Sequence, residues 1–204
     1  MNKETPYTPS LDVSVFSLPV TTEEIFGNNN GSSLEIGFGE GEFLVELAES
    51  DPGTNYLGIE IKYFRYKKAL RLALSRGVSN LKLLHFDADL AVEQVFAPGS
   101  FEKVYINFPD PWPKDRHQKH RIINDIFLDN LHNIMKDGSV LEFTSDHLDY
   151  VTHTIEHFDR HLKFSNIYGE KGYTTEVSGR PHTKFEKEFL EENREIYYPS
   201  FKRL

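Results

Sequence analysis

The chain contains no cysteine among its 204 residues, which excludes disulfides and thiolate metal sites. No apolar run approaches the ~20 residues needed to cross a bilayer. The N-terminal MNKETPYTPSLDVSVF lacks the basic-then-apolar pattern of a secretion signal, so a cytoplasmic location is expected, with no membrane partner and no metal. Positive charge is also scarce. Twenty-three Lys and Arg against 32 Asp and Glu leave a net charge of −9, which weighs against nucleic acid binding over the whole surface. There is no internal repeat, no low-complexity tract and no evident linker. What remains is ordinary for a globular protein: 38% hydrophobic, 27% charged, and long enough for one domain with a proper core.

The most informative stretch is Leu34 to Glu42, LEIGFGEGE. An apolar strand carries an acid at Glu35 and runs into Gly37, Gly39 and Gly41, after which FLVELAES reads as an amphipathic helix. Glycines at a strand-to-helix turn let backbone approach a ligand closely, and the helix start aims unpaired N–H groups at it. The spacing is G-x-G-x-G behind an acid, not the G-x-G-x-x-G of dinucleotide enzymes, and it suits S-adenosylmethionine better than NAD. Two further strands end in acids. NYLGIEI ends near Glu60, placed to accept from ribose hydroxyls. NLKLLHFD ends at Asp87, placed to accept from an adenine amino group. Each acid has an alternative reading as an ordinary helix N-cap.

From residue 33 onward strands and helices alternate. Strands are expected near 33–37, 55–60, 80–86, 102–107 and 139–144, with helices near 42–50, 62–76, 88–95, 121–135 and 146–161. Right-handed βαβ units and a doubly wound, mostly parallel α/β sheet follow. Segments 163–168 and 195–202 are expected as an antiparallel pair at the sheet edge, and EKEFLEENRE as a short charged helix. Residues 1–32 read as a loop-rich segment ahead of a single domain, 33–204.

The fourth strand runs into VYINFPDPWP, a loop with three prolines and the only tryptophan. Proline fixes φ and removes a donor, so the loop is stiff. It can hold a flat ring beside the Asp110 carboxylate, or it is a turn whose Trp112 caps the core. KDRHQKHR at 114–121 follows, with four basic residues against Asp115. A local basic segment beside a site can steer a polyanion despite an acidic body, or it is a solvated loop. Asp146 in FTSDH ends the fifth strand and also suits an N-cap. Thr183 to Glu186, TKFE, is a capping-box pattern.

These pieces together resemble the bacterial tRNA (guanine-N7)-methyltransferase family. The residues carrying the resemblance are FGN at 26–28, LEIGFGEGEF at 34–43, GIEI at 58–61, DAD at 87–89, INFPDPWPK at 106–114, RHQKHR at 116–121, TSD at 144–146 and TKFE at 183–186. The resemblance implies the seven-stranded Rossmann-like methyltransferase sheet, S-adenosylmethionine as cofactor with S-adenosylhomocysteine as product, and tRNA as partner. The reaction it implies is methyl transfer to guanine N7 in the tRNA variable loop. Glu35, Glu60, Asp87 and Asp110 match the family's cofactor-binding acids, beside Gly37 and Gly39. Lys114, Asp146, Thr183 and Glu186 match its substrate-binding positions, and Asp110 is the candidate for orienting base and cofactor. The basic segment carries Gln and His where many relatives have Lys or Arg, and the N-terminal extension is barely basic. Monomer and homodimer both remain open. Two rival readings are a small-molecule methyltransferase and a non-catalytic RNA-binding module on the same fold.

Overall fold

Residues 7–113 and 115–204 are described by the structure, a computed structural model, with Asp115 described in its backbone only. Strands form at the five expected places: β1 (Ser32–Ile36), β2 (Asn55–Glu60), β3 (Leu81–His85), β4 (Phe101–Asn107) and β5 (Met135–Thr144). Every position of β1 and β2 is buried, as parallel strands covered by helices on both faces require. With β6 (Phe164–Asn166) and β7 (Ser200–Arg203) they make one seven-stranded sheet in the order β3-β2-β1-β4-β5-β7-β6. The first five strands are parallel, and β7 runs antiparallel to both its neighbours. The expected antiparallel pair is thus present but short. Residues before Ser200 make only isolated bridges, Tyr197 to Ser145 and Tyr198 to Thr174.

The helices are α1 (Thr22–Phe26), α2 (Glu42–Ser50), α3 (Tyr63–Arg76), α4 (Ala88–Gln94), α5 (Asp125–Ile134), α6 (Leu148–Arg160) and α7 (Lys184–Glu191). Buried residues of α2 and α3 share one apolar cluster with Tyr56, Leu81 and Tyr105. Buried residues of α4, α5 and α6 share the other with Leu34, Val104 and Leu141. The sheet therefore lies between two helical layers. The segment ahead of β1 is fastened to the sheet. Leu83 N–H donates to Pro9 O at 2.7 Å, Leu11 N–H to Leu83 O at 2.9 Å, and Val20 and Ile25 are buried in the core.

One boundary differs for a clear reason. A helix was expected from 121, but the basic segment forms a 3-10 turn over Asp115–His120 and α5 starts only at Asp125. The Arg121 guanidinium is 1% exposed, its Nε donates to Pro111 O at 2.9 Å, and its terminal nitrogen meets the Asp149 carboxylate. Ile123 is buried beside it. Those inward side chains keep the chain out of helix until the Asn124 side chain accepts from Phe127 N–H at 3.0 Å and opens α5. Arg121 is thus a strut fixing the proline loop to α6 and adds no exposed charge to the basic segment. Likewise α6 begins at Leu148 with His147 as its N-cap residue, so Asp146 does not cap it.

Gly41, at the start of α2, has φ +89°, and a Cβ there would stand 2.6 Å from the Ala69 Cβ and 3.2 Å from its Cα. Both the left-handed backbone and the close approach of α3 exclude a side chain. Gly41→Ala is expected to lower unfolding free energy by about 2–4 kcal/mol, the sum of a left-handed penalty and overpacking. Gly53→Ala, where the nearest atom is Asp51 Oδ1 at 3.4 Å, is expected to change stability by less than about 1 kcal/mol. Urea unfolding midpoints of the two variants test this; equal midpoints would mean that α2 and α3 yield readily.

Candidate functional site

The strand order reverses at β1, which pairs with β2 on one side and β4 on the other. In doubly wound sheets the crevice beyond the carboxyl ends of such strands takes ligands. Here that crevice is floored by Glu35 and Asn107. Glu35 is 2% exposed. Its Oε1 accepts from Asn107 Nδ2 at 2.9 Å, and Asn107 Oδ1 accepts from Thr144 Oγ1 at 3.0 Å. Glu35 Oε2 is buried with no hydrogen-bond partner among the described residues. Burial pushes the Glu35 carboxyl up to about 8, against the lowering effects of Asn107 and the Arg180 charge.

The glycine loop forms one wall. Gly37 and Gly39 have φ +78° and +61°, and a Cβ at either would meet nothing within 4 Å. The backbone there faces open space. Glu60, 4% exposed, ties the loop to β2: Oε2 accepts from Gly39 N–H at 3.0 Å and Oε1 from Lys62 N–H at 2.7 Å. A carboxylate offers about four acceptor sites, so these two bonds leave capacity toward a ligand. Asp87 does cap α4, accepting from Leu90 N–H at 3.1 Å. It also lines the same cleft, so the cap and ligand readings are compatible.

The cleft, about 480 Å³, continues from Glu60 and Asp87 to Asp110, Trp112, Lys119 and His120. A smaller compartment holds Glu35, Phe43, Thr183 and Phe185, and the two share Gly37, Arg65, Asn107 and Phe108. Phe108 and Trp112 have φ of +47° and +43°, left-handed values that cost non-glycine residues of order 1–3 kcal/mol. Trp112 is 36% exposed and packs on the His120 ring, centroids 5.2 Å apart. It is a wall of the cleft and does not cap the core. Phe185 and Phe189 pack against Phe108 at 5.9 and 5.4 Å and make an aromatic rim.

The structure therefore gathers Glu35, Gly37, Gly39, Glu60, Asp87, Asp110 and Thr183 around one crevice. Glu186 and Asp146 line neither compartment. Thr183 and Glu186 form the full capping box of α7. Glu186 is fully buried, and its carboxylate accepts from Arg180 twice, at 3.0 and 3.1 Å, and from Thr183 N–H at 2.6 Å, with His182 Nδ1 at 3.3 Å. Burial alone would raise its pKa, but these donors outweigh it and hold Glu186 below the usual carboxylate range. The Asp146 carboxylate lies against the Arg194 guanidinium, itself 3.8 Å over the Phe189 ring. Lys114 lies outside the described residues.

Arg180 was not evident from the sequence. Its side chain is 3% exposed and joins Glu186 to Glu142 of β5, with Nε to Glu142 Oε2 at 3.2 Å, over the Phe43 ring at 5.2 Å. The only signal was its position in the Gly-Arg-Pro-His turn ahead of the capping box. Arg65, on the wall shared by both compartments, was also missed, because it reads as an ordinary helix-surface charge.

A doubly wound sheet with a glycine turn, an orphaned buried acid at the switch point and strand-end acids lining one crevice has the architecture of the Rossmann-like methyltransferase class. Solved structures agree on the fold. The aminoglycoside resistance methyltransferase NpmB1 superposes with a TM-score of 0.62 at 15% identity, covering 89% of this chain and 91% of that one. An rRNA methylase from Streptococcus thermophilus gives 0.57 at 12% identity, over 87% and 89%. A family model described as "Putative methyltransferase" matches residues 29–198. A tRNA (guanine-N(7)-)-methyltransferase of Actinobacillus pleuropneumoniae is 35% identical over 87% of this chain and 72% of its own length. One from Halorhodospira halophila is 35% identical over 87% and 77%, and one from Francisella tularensis subsp. novicida 37% over 80% and 71%. The chain belongs to the tRNA (guanine-N7)-methyltransferase family.

Glu35 gives the folded protein a definite pH signature. Its folded pKa lies above the ordinary value of 4.5, at about 8. The folded state then binds the proton more tightly than the unfolded state, so this residue lowers stability as pH rises from about 4.5 to about 8 and adds nothing further above that. The limiting slope for one proton is about 1.4 kcal/mol per pH unit. Glu35→Gln keeps a neutral acceptor for Asn107 and is expected to remove this decline. Urea midpoints of both proteins from pH 5 to 9 check it; parallel curves would show that Glu35 ionises freely.

Proposed function

We propose that this chain transfers the methyl group of S-adenosylmethionine to N7 of a guanine in the variable loop of tRNA. The observation that supports the reading best is the continuity of one crevice from the strand-end acids Glu60 and Asp87 to Asp110 and Trp112 in the proline loop. The residues present fit the cofactor. Glu60 offers acceptors to ribose hydroxyls, Asp87 to the adenine amino group, and the orphaned Glu35 Oε2 to an ammonium beside the open backbone of Gly37 and Gly39. When bound, the cofactor supplies an electrophilic methyl group on a positively charged sulfur.

The chain's own residues then have little proton work to do. Guanine N7 carries an in-plane lone pair and no proton, so no general base is needed to make the nucleophile. Rate must come from alignment in the cleft and from charge placed where it develops. Positive charge passes onto the purine during transfer, and Asp110 is the exposed carboxylate at that end of the cleft. Trp112, Phe108 and Phe185 provide flat apolar walls for a base that has left its stack.

The substrate positions take different roles in this reading. Thr183 lines the smaller compartment beside Phe108 and Phe185 and is the substrate position assigned here to contact the base. The donors on Glu186 occupy its acceptor sites, so Glu186 is a positioning residue that holds α7 and Arg180 and does not itself accept from guanine. Asp146 reaches a base only if its pair with Arg194 opens. Lys114 remains a candidate donor to guanine O6 or a phosphate. The direct test is to incubate the protein with S-adenosylmethionine and unmodified tRNA and map N7-methylguanine. A small-molecule methyltransferase would leave tRNA unlabelled, and a binding module would neither label it nor bind the cofactor.

Asp110→Asn is expected to lower kcat by about 10²–10³, the cost of one preorganised electrostatic contact, with a smaller loss of S-adenosylmethionine affinity. No basic limb in the pH–rate profile should depend on Asp110. Near-normal turnover in steady-state kinetics would remove its orienting role, and a limb lost with the mutation would overturn the base-free mechanism. Arg116 and Lys119 are exposed on the 3-10 turn. Their joint replacement by alanine is expected to raise KM for tRNA, to leave cofactor affinity unchanged and to flatten the salt dependence of tRNA binding by a slope of roughly 1–2. Coincident slopes would make that turn only a solvated loop.

A further inference from the structure

Between Ile61 and Arg76 the chain carries six basic residues and no acid, within a molecule of net charge −9. This is α3. Tyr66, Ala69 and Ala73 turn its apolar side to the core. The helical period then puts Phe64, Lys67, Lys68 and Arg71 on the opposite side, and all four are exposed. Lys68 pairs with Glu40 at 2.6 Å and Arg76 with Glu49 at 3.2 Å. Lys62, Arg65, Lys67 and Arg71 form no ion pair among the described residues. Two large aromatics stand among them, Tyr63 and Phe64, 57% and 58% exposed. Lys67 Nζ lies 5.6 Å over the Tyr63 ring and Arg65 Cζ 5.9 Å over the Phe64 ring.

The position of this face matters as much as its charge. α3 follows β2 directly, and Lys62 and Arg65 at its start line the cleft. The helix then runs about 21 Å away from the cleft, at 1.5 Å per residue. On the other side of the same cleft stand Lys119 and His120. A base seated in the cleft carries backbone away in two directions, so a strand held there would meet cations on both sides. Unpaired cations interleaved with exposed rings suit a polynucleotide with accessible phosphates and bases. An acidic protein binding a polyanion must confine its contacts to such patches.

We propose that the solvent face of α3 is a docking surface for tRNA, gripping the backbone on one side of the modified guanine. This rests on the tRNA methyltransferase reading and adds to it a second RNA contact distinct from the 3-10 turn. Lys67 and Arg71 line neither compartment, so Lys67→Glu with Arg71→Glu tests the surface without touching the cleft. A control of equal charge change, Lys171→Glu with Lys202→Glu, lies toward the far edge of the sheet, where β6 and β7 pair.

The α3 variant is expected to raise KM for tRNA at least tenfold over the control at ~150 mM salt. Its tRNA-binding salt slope should be shallower by about 1–2, as expected when two phosphate contacts are lost. Affinity for S-adenosylhomocysteine should be unchanged, and Lys67→Arg with Arg71→Lys should restore the parent KM. If the parent methylates tRNA but the α3 and control variants share the same KM and slope, the surface proposal is overturned and the function stands. If the variant instead loses binding to phosphatidylserine-containing vesicles while KM holds, the face serves a membrane and the proposal is overturned. A parent that methylates no tRNA removes the functional reading and the surface together.

Discussion

Glu35 sits near the end of β1 with a carboxyl group almost closed off from water, held by Asn107 on one oxygen and by nothing among the described residues on the other. Burying an acid this way is costly, and neighbouring groups are arranged around that fact. Asn107 at the end of β4 gives up one side of its amide to Glu35 and uses the other to accept from Thr144 of β5. Arg180 lies close enough to Thr144 and Glu186 to link the three strand ends to α7. Three parallel strands and the last helix are thereby registered at their carboxyl ends, where the sheet's order reverses. A half-satisfied polar network is worse than an apolar core unless something completes it, and Glu35 lines the smaller compartment of the crevice.

Rigidity at this end comes from two different sources. On the glycine-loop side it is backbone chemistry: glycines accept conformations closed to other residues, and Glu60 accepts from Gly39 N–H in the loop and from Lys62 N–H after β2. On the proline-loop side it is side-chain docking. Proline stiffens the 108–113 loop locally, but its position is set by Arg121, which reaches in to Pro111 and stands 4.7 Å over the Tyr150 ring. The stiff loop carries Asp110 outward into the cleft while Phe108 N–H stays tied to Thr144 O at 2.8 Å.

Much of this was legible from residue order. The five parallel strands, the helices between them and the antiparallel pair at the edge all followed from alternating apolar runs, and the crevice acids followed from their place at strand ends. The helix expected from 121 was not right, because a periodic pattern does not reveal that an arginine in a basic run turns inward. Asp146 looked like a cap because it stands just ahead of a helix, yet the helix begins one residue later and Arg194, far along the chain, takes the carboxylate. Glu186 was read correctly as a capping-box residue, while the Arg180 pair that saturates it could not be seen, since nothing in a turn of Gly-Arg-Pro-His says which side of the molecule the guanidinium enters.

The sequence by itself determined the local elements, the glycine turn, the acids available to a cofactor and, by resemblance, the family. These depend on neighbours along the chain, on φ preferences and on two- and 3.6-residue periods, all of which are written in residue order. Only the tertiary structure decided which of those groups share a space. It turned Arg121 of the basic segment and Glu186 of the capping box inward as buried, paired groups, left one oxygen of Glu35 without a partner among the described residues and set the start of the basic helix α3 beside the cleft. Those outcomes depend on burial and on partners tens of residues away, because the energy of a charge is fixed by whether water or another chain segment surrounds it.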